Sequence, residues 1–260
     1  MIYIITAVHN RRAITESFID QLLKQTYKDF VLIIVDDGST DGTSEMIKSK
    51  INDAVIIRGN GNLWWGGALH KAYKWIKQNA LADAYVMIAN DDIFFDSDYI
   101  QKAISYLENK QKVLLTGYGI GNLSHGIVDG AYHYNFKDGV LLSTSDGVGN
   151  GASTRSLFFK VSDFIRIGGF HPIILPHYGS DVEWTTRACR KYHYTIECSK
   201  EIKYIANEET TGLKNKKNMR LKDYFSKRSI YNPFYRLNLI LLITPPQYLF
   251  RVLFKKLIKN

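Results

Sequence analysis

The sequence predicts an α/β fold in which helices cover both faces of a mostly parallel central sheet. Apolar runs of about five residues alternate with segments of roughly 9–15 residues that have helical spacing. The apolar runs are continuous, which is typical of parallel strands buried on both faces. The chain has 260 residues, enough for one large domain or two small ones with a buried core.

The predicted elements alternate along the first two thirds of the chain. Positions at helical spacing, such as Ile14, Phe18 and Leu22, mark the segments between the apolar runs as helices. The predicted strands are 3–8, 30–35, 54–58, 85–89, 113–116 and 157–161. The predicted helices are 13–25, 43–51, 65–79, 99–109, 162–168 and 184–191. Glycine, serine, asparagine and aspartate are abundant in 117–151, which predicts loops with short strands.

The net charge of +9 is distributed unevenly. Residues 203–260 contain 13 Lys and Arg against 3 Asp and Glu, whereas residues 1–202 contain 21 and 22. A negatively charged partner is therefore expected to bind to the C-terminal segment. The two cysteines, Cys189 and Cys198, indicate neither a disulfide framework nor a zinc ribbon and are usual in a reducing compartment.

The apolar N-terminus lacks a basic region before it, so we predict a buried first strand rather than a signal peptide. No run of about 18 apolar residues predicts a transmembrane helix. Together with the cysteine content, these features predict a cytoplasmic protein.

Polar side chains follow three of the predicted strands. Ligands of parallel α/β sheets bind beyond the carboxyl ends of the strands, so these groups are candidate site residues. They are His9 and Asn10, then Asp36 and Asp37, and then Asn90, Asp91 and Asp92.

The first acidic pair, Asp36 and Asp37, predicts contact with a nucleotide. A carboxylate at a strand end can accept a hydrogen bond from a nucleoside base or a ribose hydroxyl. A calcium loop that starts at Asp37 would need an acidic twelfth residue, but that position is Lys48. A turn in which Thr40 or Asp41 caps the next helix accounts for only part of the segment.

The second acidic pair, Asp91 and Asp92, predicts a divalent cation site. Mg²⁺ is commonly bound by one or two carboxylates together with substrate phosphates. Capping of the following helix is the alternative role, but Asp96 and Asp98 already supply capping groups.

A glycine-containing segment covers residues 59–68. Gly59 and Gly61 resemble the start of a dinucleotide fingerprint, but Trp64 occupies the position of the third glycine, which argues against an NAD-type site. Gly66 and Gly67 begin a predicted helix and indicate close approach of the backbone to a ligand.

Two further acids, Asp181 and Glu183, begin a predicted helix. A carboxylate fixed at a helix start and directed into a cleft is a candidate general base. The alternative is that both are first-turn acids favoured by the helix dipole.

In this order the motifs resemble the family 2 inverting glycosyltransferases, which have the GT-A fold. The resemblance covers about residues 1–205. It rests on Thr-Ala-Val-His-Asn at 6–10, Val-Asp-Asp-Gly-Ser-Thr-Asp-Gly-Thr at 35–43, Leu-Trp-Trp-Gly-Gly at 63–67, Asn-Asp-Asp at 90–92, Gly-Gly-Phe at 168–170, Ser-Asp-Val-Glu at 180–183, and Arg187. Three positions depart from the family pattern: Asn90 replaces an Asp, Ser180 replaces a Glu, and His70 stands where many members have Asn.

The resemblance implies a nucleotide-diphosphate sugar as donor and Mg²⁺ or Mn²⁺ as cofactor. It implies that Asp92 is the metal ligand and Asp181 the catalytic base. Trp184, with Trp65 as a second candidate, would stack on a sugar ring. The implied donor-binding residues are Thr6, Ala7, His9, Asn10, Asp36, Asp37, Asn62, Trp65, Gly66, Gly67, Asn90 and Asp91. It implies a glycosyltransferase domain at 1–205, with donor binding in 1–116 and the acceptor side in 117–205.

A basic C-terminal segment, 206–260, follows this domain, and residues 248–259 predict an amphipathic helix. Its apolar half holds Leu249, Phe250, Leu253, Phe254, Leu257 and Ile258. Its other half holds Arg251, Lys255, Lys256 and Lys259. Such helices lie in membrane surfaces, and basic residues near anionic lipid add to the attraction.

We therefore expect peripheral contact with an anionic membrane through 214–259, at the inner face of the plasma membrane. The acceptor would then be a saccharide or a lipid-linked saccharide, as in the assembly of cell-surface polysaccharides. The alternative is a helix that packs on the domain or on a partner subunit. The aromatic residues lie among aliphatic ones on the apolar face, which favours a membrane over a nucleic acid.

Two other functions remain open from the sequence. A sugar nucleotidyltransferase has a related sheet but a glycine-rich loop after the first strand, and residues 6–12 contain no glycine. A non-catalytic nucleotide- or carbohydrate-binding protein is the other, although the presence of both Asp92 and Asp181 argues against it.

Overall fold

A computed structural model describes residues 1–144, 146–210, 221–227 and 229–258, without the side chains of residues 221, 257 and 258. The strands are β1 (Ile2–Val8), β2 (Phe30–Asp36), β3 (Val55–Arg58), β4 (Tyr85–Ala89), β5 (Ile93–Phe95), β6 (Val113–Gly121), β7 (Ile127–Asp129), β8 (Tyr132–Asn135), β9 (Val140–Ser143), β10 (Val148–Gly149), β11 (Ser156–Lys160) and β12 (Thr195–Ala206). The helices are α1 (Arg12–Leu23), α2 (Thr43–Lys50), α3 (Trp64–Asn79), α4 (Tyr99–Leu107), α5 (Val161–Ile167), α6 (Ser180–Tyr192), α7 (Leu221–Tyr224), α8 (Pro233–Ile243) and α9 (Pro246–Ile258).

The large sheet has the strand order β10-β12-β6-β11-β4-β1-β2-β3, with β5 paired to β12 and β7 to β6. Strands β3, β2, β1 and β4 are parallel neighbours, and so are β6 and β12. Strand β11 lies antiparallel between β4 and β6. The mostly parallel sheet flanked by helices that the sequence predicts is therefore confirmed. Strands β8 and β9 form a separate hairpin.

The core lies in two apolar layers, one on each face of the sheet. In β1, Ile2 and Ile4 pack into the layer that contains Phe18 of α1, whereas Ile5 packs into the layer that contains Leu69 of α3. All five side chains are inaccessible to solvent. Burial of one large apolar side chain contributes about 1.5–3 kcal/mol, so the sheet is a stable platform for the loops at its edges.

One edge of the sheet collects the loops that carry the candidate residues. The parallel strands β1, β2 and β4 end there at Val8, Asp36 and Ala89. Because β11 runs in the opposite direction, its first residue, Ser156, pairs with Ala89. The segment 153–155 therefore enters the same edge from the amino end of its strand.

The C-terminal segment packs against the rest of the chain. The Asn238 side chain donates a hydrogen bond to the Ile174 carbonyl (3.0 Å), and Arg190 of α6 donates one to the Leu242 carbonyl (2.8 Å). Across the described ranges, no helix combines the length and the apolar character that crossing a bilayer requires. The predicted amphipathic helix corresponds to α9. Residues 214–220, 228 and 259 of the segment predicted to contact a membrane lie outside the described residues.

Candidate active site

A cavity of about 400 Å³ opens at the edge where β1, β2 and β4 end. Of the residues predicted from the sequence, it gathers Ala7, Trp65, Asn90, Asp91, Asp92 and Asp181. It is also lined by Arg11, Asp129, Arg155 and Thr210, which the sequence analysis did not select.

Asp91 and Asp92 form a nearly buried acidic pair, with exposures of 4% and 7%. The Nη2 atom of Arg11 lies 3.1 Å from Oδ1 of Asp91 and 3.1 Å from Oδ2 of Asp92. The Thr15 hydroxyl donates to Asp91 (2.8 Å), and the Thr210 hydroxyl donates to Oδ2 of Asp92 (2.6 Å). Burial raises the pKa of Asp91 to about 6, although Arg11 and Thr15 favour its charged form.

The other carboxylate oxygen of Asp92 suits a divalent cation. This atom, Oδ1, is buried and has no hydrogen-bond partner among the described residues. An unpaired buried oxygen costs free energy, and carboxylates are preferred ligands of Mg²⁺ and Mn²⁺. The described ranges contain no cluster of three or more His, Cys, Asp or Glu that could hold a metal. Mg²⁺ commonly binds one or two carboxylates and takes its other ligands from water and substrate phosphates.

Asp181 has the properties of a proton acceptor. It lies in the first turn of α6, where its Oδ1 accepts a hydrogen bond from the Val182 N–H (2.8 Å). The pKa of Asp181 is raised to about 6, mainly by burial and also by the charge of Asp129, whereas the Val182 N–H and Arg155 oppose the rise. Arg155 in turn lies 3.1 Å from Asp129. At neutral pH such a carboxyl is ionised yet still basic enough to accept a proton.

Glu183, the other acid of the motif, is part of a buried ion pair. Its oxygens accept hydrogen bonds from Nε (2.8 Å) and Nη2 (3.1 Å) of Arg187. Arg187 also donates to the carbonyls of Ile167 (2.5 Å) and Gly169 (2.7 Å). Glu183 therefore anchors the segment after α5 to α6, and Asp181 is the acid of this motif that lines the cavity.

Replacing Glu183 with glutamine should lower the free energy of unfolding by about 3 kcal/mol, because Arg187 would lose its buried counter-charge. Chemical denaturation would measure the loss. The matched control is Glu108→Gln, because Glu108 is exposed and such a change should cost less than about 0.5 kcal/mol. Equal stability of the Glu183 variant and the unmodified protein would contradict the anchoring role.

Asp36 is fully buried and is committed to the turn that follows β2. Its Oδ1 accepts from the Ser39 N–H (2.8 Å), and its Oδ2 accepts from the Ser44 hydroxyl. A side chain with no accessible surface cannot touch a ligand, so the structure contradicts the predicted contact between Asp36 and a nucleotide. Asp37 remains the candidate for that contact.

Asp37 organises the loop that leads into α3. Its Oδ1 accepts from the Gly61 N–H (2.8 Å), and its Oδ2 accepts from the N–H groups of Leu63 (2.8 Å) and Trp64 (3.2 Å). A carboxylate offers about four acceptor positions, so one remains for a ligand. Contact between Asp37 and a nucleotide stays a prediction.

The loop after β1 is tied to the loop after β2. The Nδ1 atom of His9 lies 2.7 Å from the Asp37 carbonyl oxygen, and the Asn10 side chain accepts from the Thr40 N–H (2.8 Å). The Thr6 hydroxyl is buried and has no partner within the described part of the chain. His9 and Asn10 therefore join two loops into one wall, and donor contact by Thr6, His9 and Asn10 stays a prediction.

The tryptophans have different environments. Trp65 lines the cavity and donates from its indole N–H to the Thr154 hydroxyl (2.8 Å). The indole of Trp64 donates to the Asn62 side chain (3.0 Å). Trp184 is completely buried, so the predicted stacking of a sugar on Trp184 is wrong. Its ring fills the core beneath α6 instead, and Trp65 remains the candidate for stacking.

Gly66 and Gly67 face protein rather than the cavity. A Cβ atom on Gly66 would lie 2.5 Å from the Leu175 carbonyl oxygen, and one on Gly67 would meet the Pro172 side chain at 3.8 Å. The Gly66 N–H also donates to the Pro176 carbonyl (2.8 Å). The close neighbour of Gly66 in the structure is the chain at 175–176, and the predicted approach of a ligand to Gly66 and Gly67 stays a prediction.

Arg11, Asp129, Arg155 and Thr210 differ in how far the sequence could reveal them. Arg11 directly follows the polar pair after β1 and immediately precedes α1. This position is a local signal by which the sequence could have marked it as a site residue. Asp129, Arg155 and Thr210 come from segments whose positions depend on strand pairing, and no local pattern marks them.

The fold is that of the GT-A glycosyltransferases, as the resemblance implied. The chain is similar to the mannosyltransferase PcManGT from Pyrobaculum calidifontis, solved with GDP-Man and Mn²⁺, at a TM-score of 0.65 and 15% identity over 98% of this chain and 68% of that one. It is also similar to S. aureus TarS, at a TM-score of 0.63 and 14% identity over 98% of this chain and 53% of the other.

Residues 3–160 match the family described as Glycosyl transferase family 2, and the chain belongs to that family. Among curated relatives it is similar to the UDP-Glc:alpha-D-GlcNAc-diphosphoundecaprenol beta-1,3-glucosyltransferase WfaP of Escherichia coli, at 31% identity over 43% of each chain. An uncharacterized glycosyltransferase of Rickettsia bellii is 25% identical over 66% of this chain and 24% of its own length. The chain therefore spans less than half the length of these relatives.

Proposed function

We propose that this chain is an inverting glycosyltransferase. It would move a sugar from a nucleotide-diphosphate sugar to a hydroxyl of a saccharide or lipid-linked saccharide acceptor, in the synthesis of cell-surface polysaccharide. The observation that carries the proposal is that one cavity holds both Asp181 and Asp92. The first suits a general base, and the second has an unpartnered oxygen that suits a cation. Membership of the family supports the reaction class.

Asp181 supplies the proton acceptor in this proposal. The acceptor hydroxyl oxygen bonds to the anomeric carbon while the bond from that carbon to the diphosphate breaks on the opposite face, so the configuration inverts. The hydroxyl proton moves to Asp181, and the nucleoside diphosphate carries away the bonding electrons. The acceptor hydroxyl must come within about 2.6–3.2 Å of the carboxylate.

Asp92, with Asp91 beside it, would hold Mg²⁺ or Mn²⁺. When bound, such a cation supplies positive charge against the negative charge of the departing diphosphate. Asp37 would accept a hydrogen bond from the nucleoside through its remaining acceptor position, since Asp36 is buried. The wall built by His9 and Asn10 keeps Asp37 and the loop after β1 together.

Incubation with a panel of nucleotide sugars and saccharide acceptors, with and without Mg²⁺ or Mn²⁺, tests the function. We expect one donor to yield a nucleoside diphosphate, with release lost in EDTA. Formation of pyrophosphate from a nucleoside triphosphate and a sugar phosphate would instead indicate a nucleotidyltransferase. Tight sugar-nucleotide binding without turnover on any acceptor would favour a binding protein.

The transferase activity should fall as the pH is lowered, because a general base must be ionised to accept a proton. With the Asp181 pKa at about 6, kcat/KM at pH 5 should be roughly tenfold below its plateau. Asp129→Asn should shift this acid limb of the pH–activity profile to lower pH. Removal of the Asp129 charge and release of Arg155 both favour the ionised form of Asp181. A profile flat from pH 5 to 8 would contradict the base assignment.

The C-terminal helices present an apolar surface suited to membrane contact. On α9, Phe250 and Phe254 are 83% and 56% exposed, and their rings stack with centroids 6.3 Å apart. Arg251 and Lys255 pair with Asp138 on the turn of the β8–β9 hairpin. Two of the cations assigned to lipid from the sequence therefore fix α9 to the protein. The exposed aromatic residues would then insert at the surface of an anionic membrane.

A membrane-attached position suits a lipid-linked acceptor at the inner face of the plasma membrane. Helix α8 exposes Phe234, Leu237 and Leu241, and it packs beside the turn before α6, where a Cβ on Gly179 would lie 3.0 Å from Leu239. This apolar surface thus lies close to the chain that leads to Asp181. The name of the E. coli relative specifies a diphosphoundecaprenol-linked acceptor, which supports an acceptor of this kind here.

Replacing Phe250 and Phe254 with serine should reduce co-sedimentation with vesicles of anionic lipid about tenfold or more, because two large apolar side chains no longer insert. The matched control is Leu81→Ser, which removes a 56% exposed leucine near the start of β4, at the opposite edge of the sheet. Unchanged sedimentation of the double variant would end the membrane proposal while leaving the transferase proposal intact.

A further inference from the structure

We propose that Arg11 is the residue that binds the diphosphate of the donor, and that it is held on the acidic pair when no donor is present. The inference rests on the proposed function. It deepens that function by assigning the diphosphate to a specific side chain. Three observations support the inference: the geometry of the acidic pair, the Nε–H of Arg11, which is unpartnered within the described part of the chain, and the charges of the cavity.

The acidic pair holds Arg11 beside the Asp92 oxygen that suits a cation. A single nitrogen, Nη2, lies 3.1 Å from an oxygen of each of Asp91 and Asp92. A divalent cation bound between these carboxylates would meet the guanidinium at close range, and the two positive charges would repel each other. Entry of the cation and departure of Arg11 from this position are therefore coupled.

Arg11 has unused capacity for an anion. Its Nε is buried and has no hydrogen-bond partner among the described residues. The planar guanidinium offers five N–H donors in a fork that matches phosphate oxygens. A diphosphate would therefore give Arg11 more and better aligned hydrogen bonds than the single bridging nitrogen makes now.

The charges around the cavity favour the same ligand. Two arginines line it, and Arg155 lies beside Asp129 at 3.1 Å. Arg11 is the arginine beside Asp92, whose free oxygen suits the cation that accompanies a diphosphate. Once a cation compensates Asp91 and Asp92, the guanidinium is free to turn to the phosphate oxygens.

Isothermal titration with UDP, GDP, ADP and dTDP at saturating Mg²⁺ tests the binding role. We expect Arg11→Gln to weaken the nucleotide that the unmodified protein binds by at least tenfold, because a charge-assisted bond to the diphosphate is lost. Arg11→Lys should be intermediate, since it keeps the charge but not the fork. The matched control is Arg12→Gln, which removes an exposed neighbouring charge and should change the affinity less than twofold.

Binding of Mn²⁺ to nucleotide-free protein, followed by electron paramagnetic resonance, supplies a readout independent of activity. Arg11→Gln should bind Mn²⁺ at least fivefold more tightly than the unmodified protein, because the competing cation is gone, and Arg12→Gln should not. Unchanged nucleotide affinity or unchanged Mn²⁺ affinity in Arg11→Gln would overturn the inference alone. An unmodified protein that binds none of these nucleotides, with or without Mn²⁺, would overturn the proposed function as well.

Discussion

Replacing Asp181 with asparagine should lower kcat about a thousandfold while donor affinity stays within about twofold. Asparagine has nearly the same shape but cannot accept the proton of the acceptor hydroxyl, and general bases contribute about 10²–10⁴ to rates. Donor affinity should persist because the acidic pair and the wall of loops after β1 and β2 are unchanged. Initial rates of nucleoside diphosphate release and titration with the donor would measure the two quantities separately.

The stability of this variant separates lost chemistry from lost structure. The pKa of Asp181 is raised in the folded protein, so its ionisation destabilises the fold as pH rises from the unfolded value through about 6. Asparagine removes that cost, and the melting temperature at pH 7 should stay equal or rise. Asp53→Asn, at an exposed position, is the matched control and should retain full activity. Normal turnover by the Asp181 variant would refute its role as the base.

Replacing Asp92 with asparagine should lower metal-dependent turnover by about 10²–10³-fold, the scale found when one charge-stabilising group is lost. The amide oxygen can still accept hydrogen bonds from Arg11 and Thr210, so the loop should keep its shape, but the negative charge that holds the cation is gone. The Mn²⁺ dependence of initial rates would show the loss as a higher metal concentration for half-maximal activity.

The matched control is Asp96→Asn, an exposed aspartate four residues further along the chain. It should change neither the maximal rate nor the Mn²⁺ requirement by more than about twofold. An Asp92 variant whose turnover and metal requirement match those of the control would show that the cation, if used, is held elsewhere.

The sequence predicts the strands that are continuous apolar runs and misses β12, in which charged and apolar residues are mixed. Strands β1, β2 and β4 are continuous apolar runs, so their pattern is visible without the structure. Strand β12 (Thr195–Ala206) carries Glu197, Glu201 and Lys203 among its apolar residues. Its pairing with β6 and β5 is decided by tertiary contacts that no local pattern encodes.

The same distinction applies to the site. Asp91, Asp92 and Asp181 are found from the sequence because each follows a strand or begins a helix, where local rules apply. Arg155 is missed because the direction of β11 decides which of its ends reaches the cavity. Trp184 is misjudged because an aromatic residue beside a site motif has the same local pattern whether it packs inward or faces a sugar.

The reversed strand β11 also has a consequence for synthesis of the protein. It links the parallel group that ends with β4 to the group that contains β6, yet it is made more than sixty residues after β4. Until the ribosome has released β11, β4 is an open edge strand whose unpaired backbone N–H and C=O groups can pair with another nascent chain. Overproduction at high temperature should therefore yield inclusion bodies, and cooling or added chaperones should restore the yield.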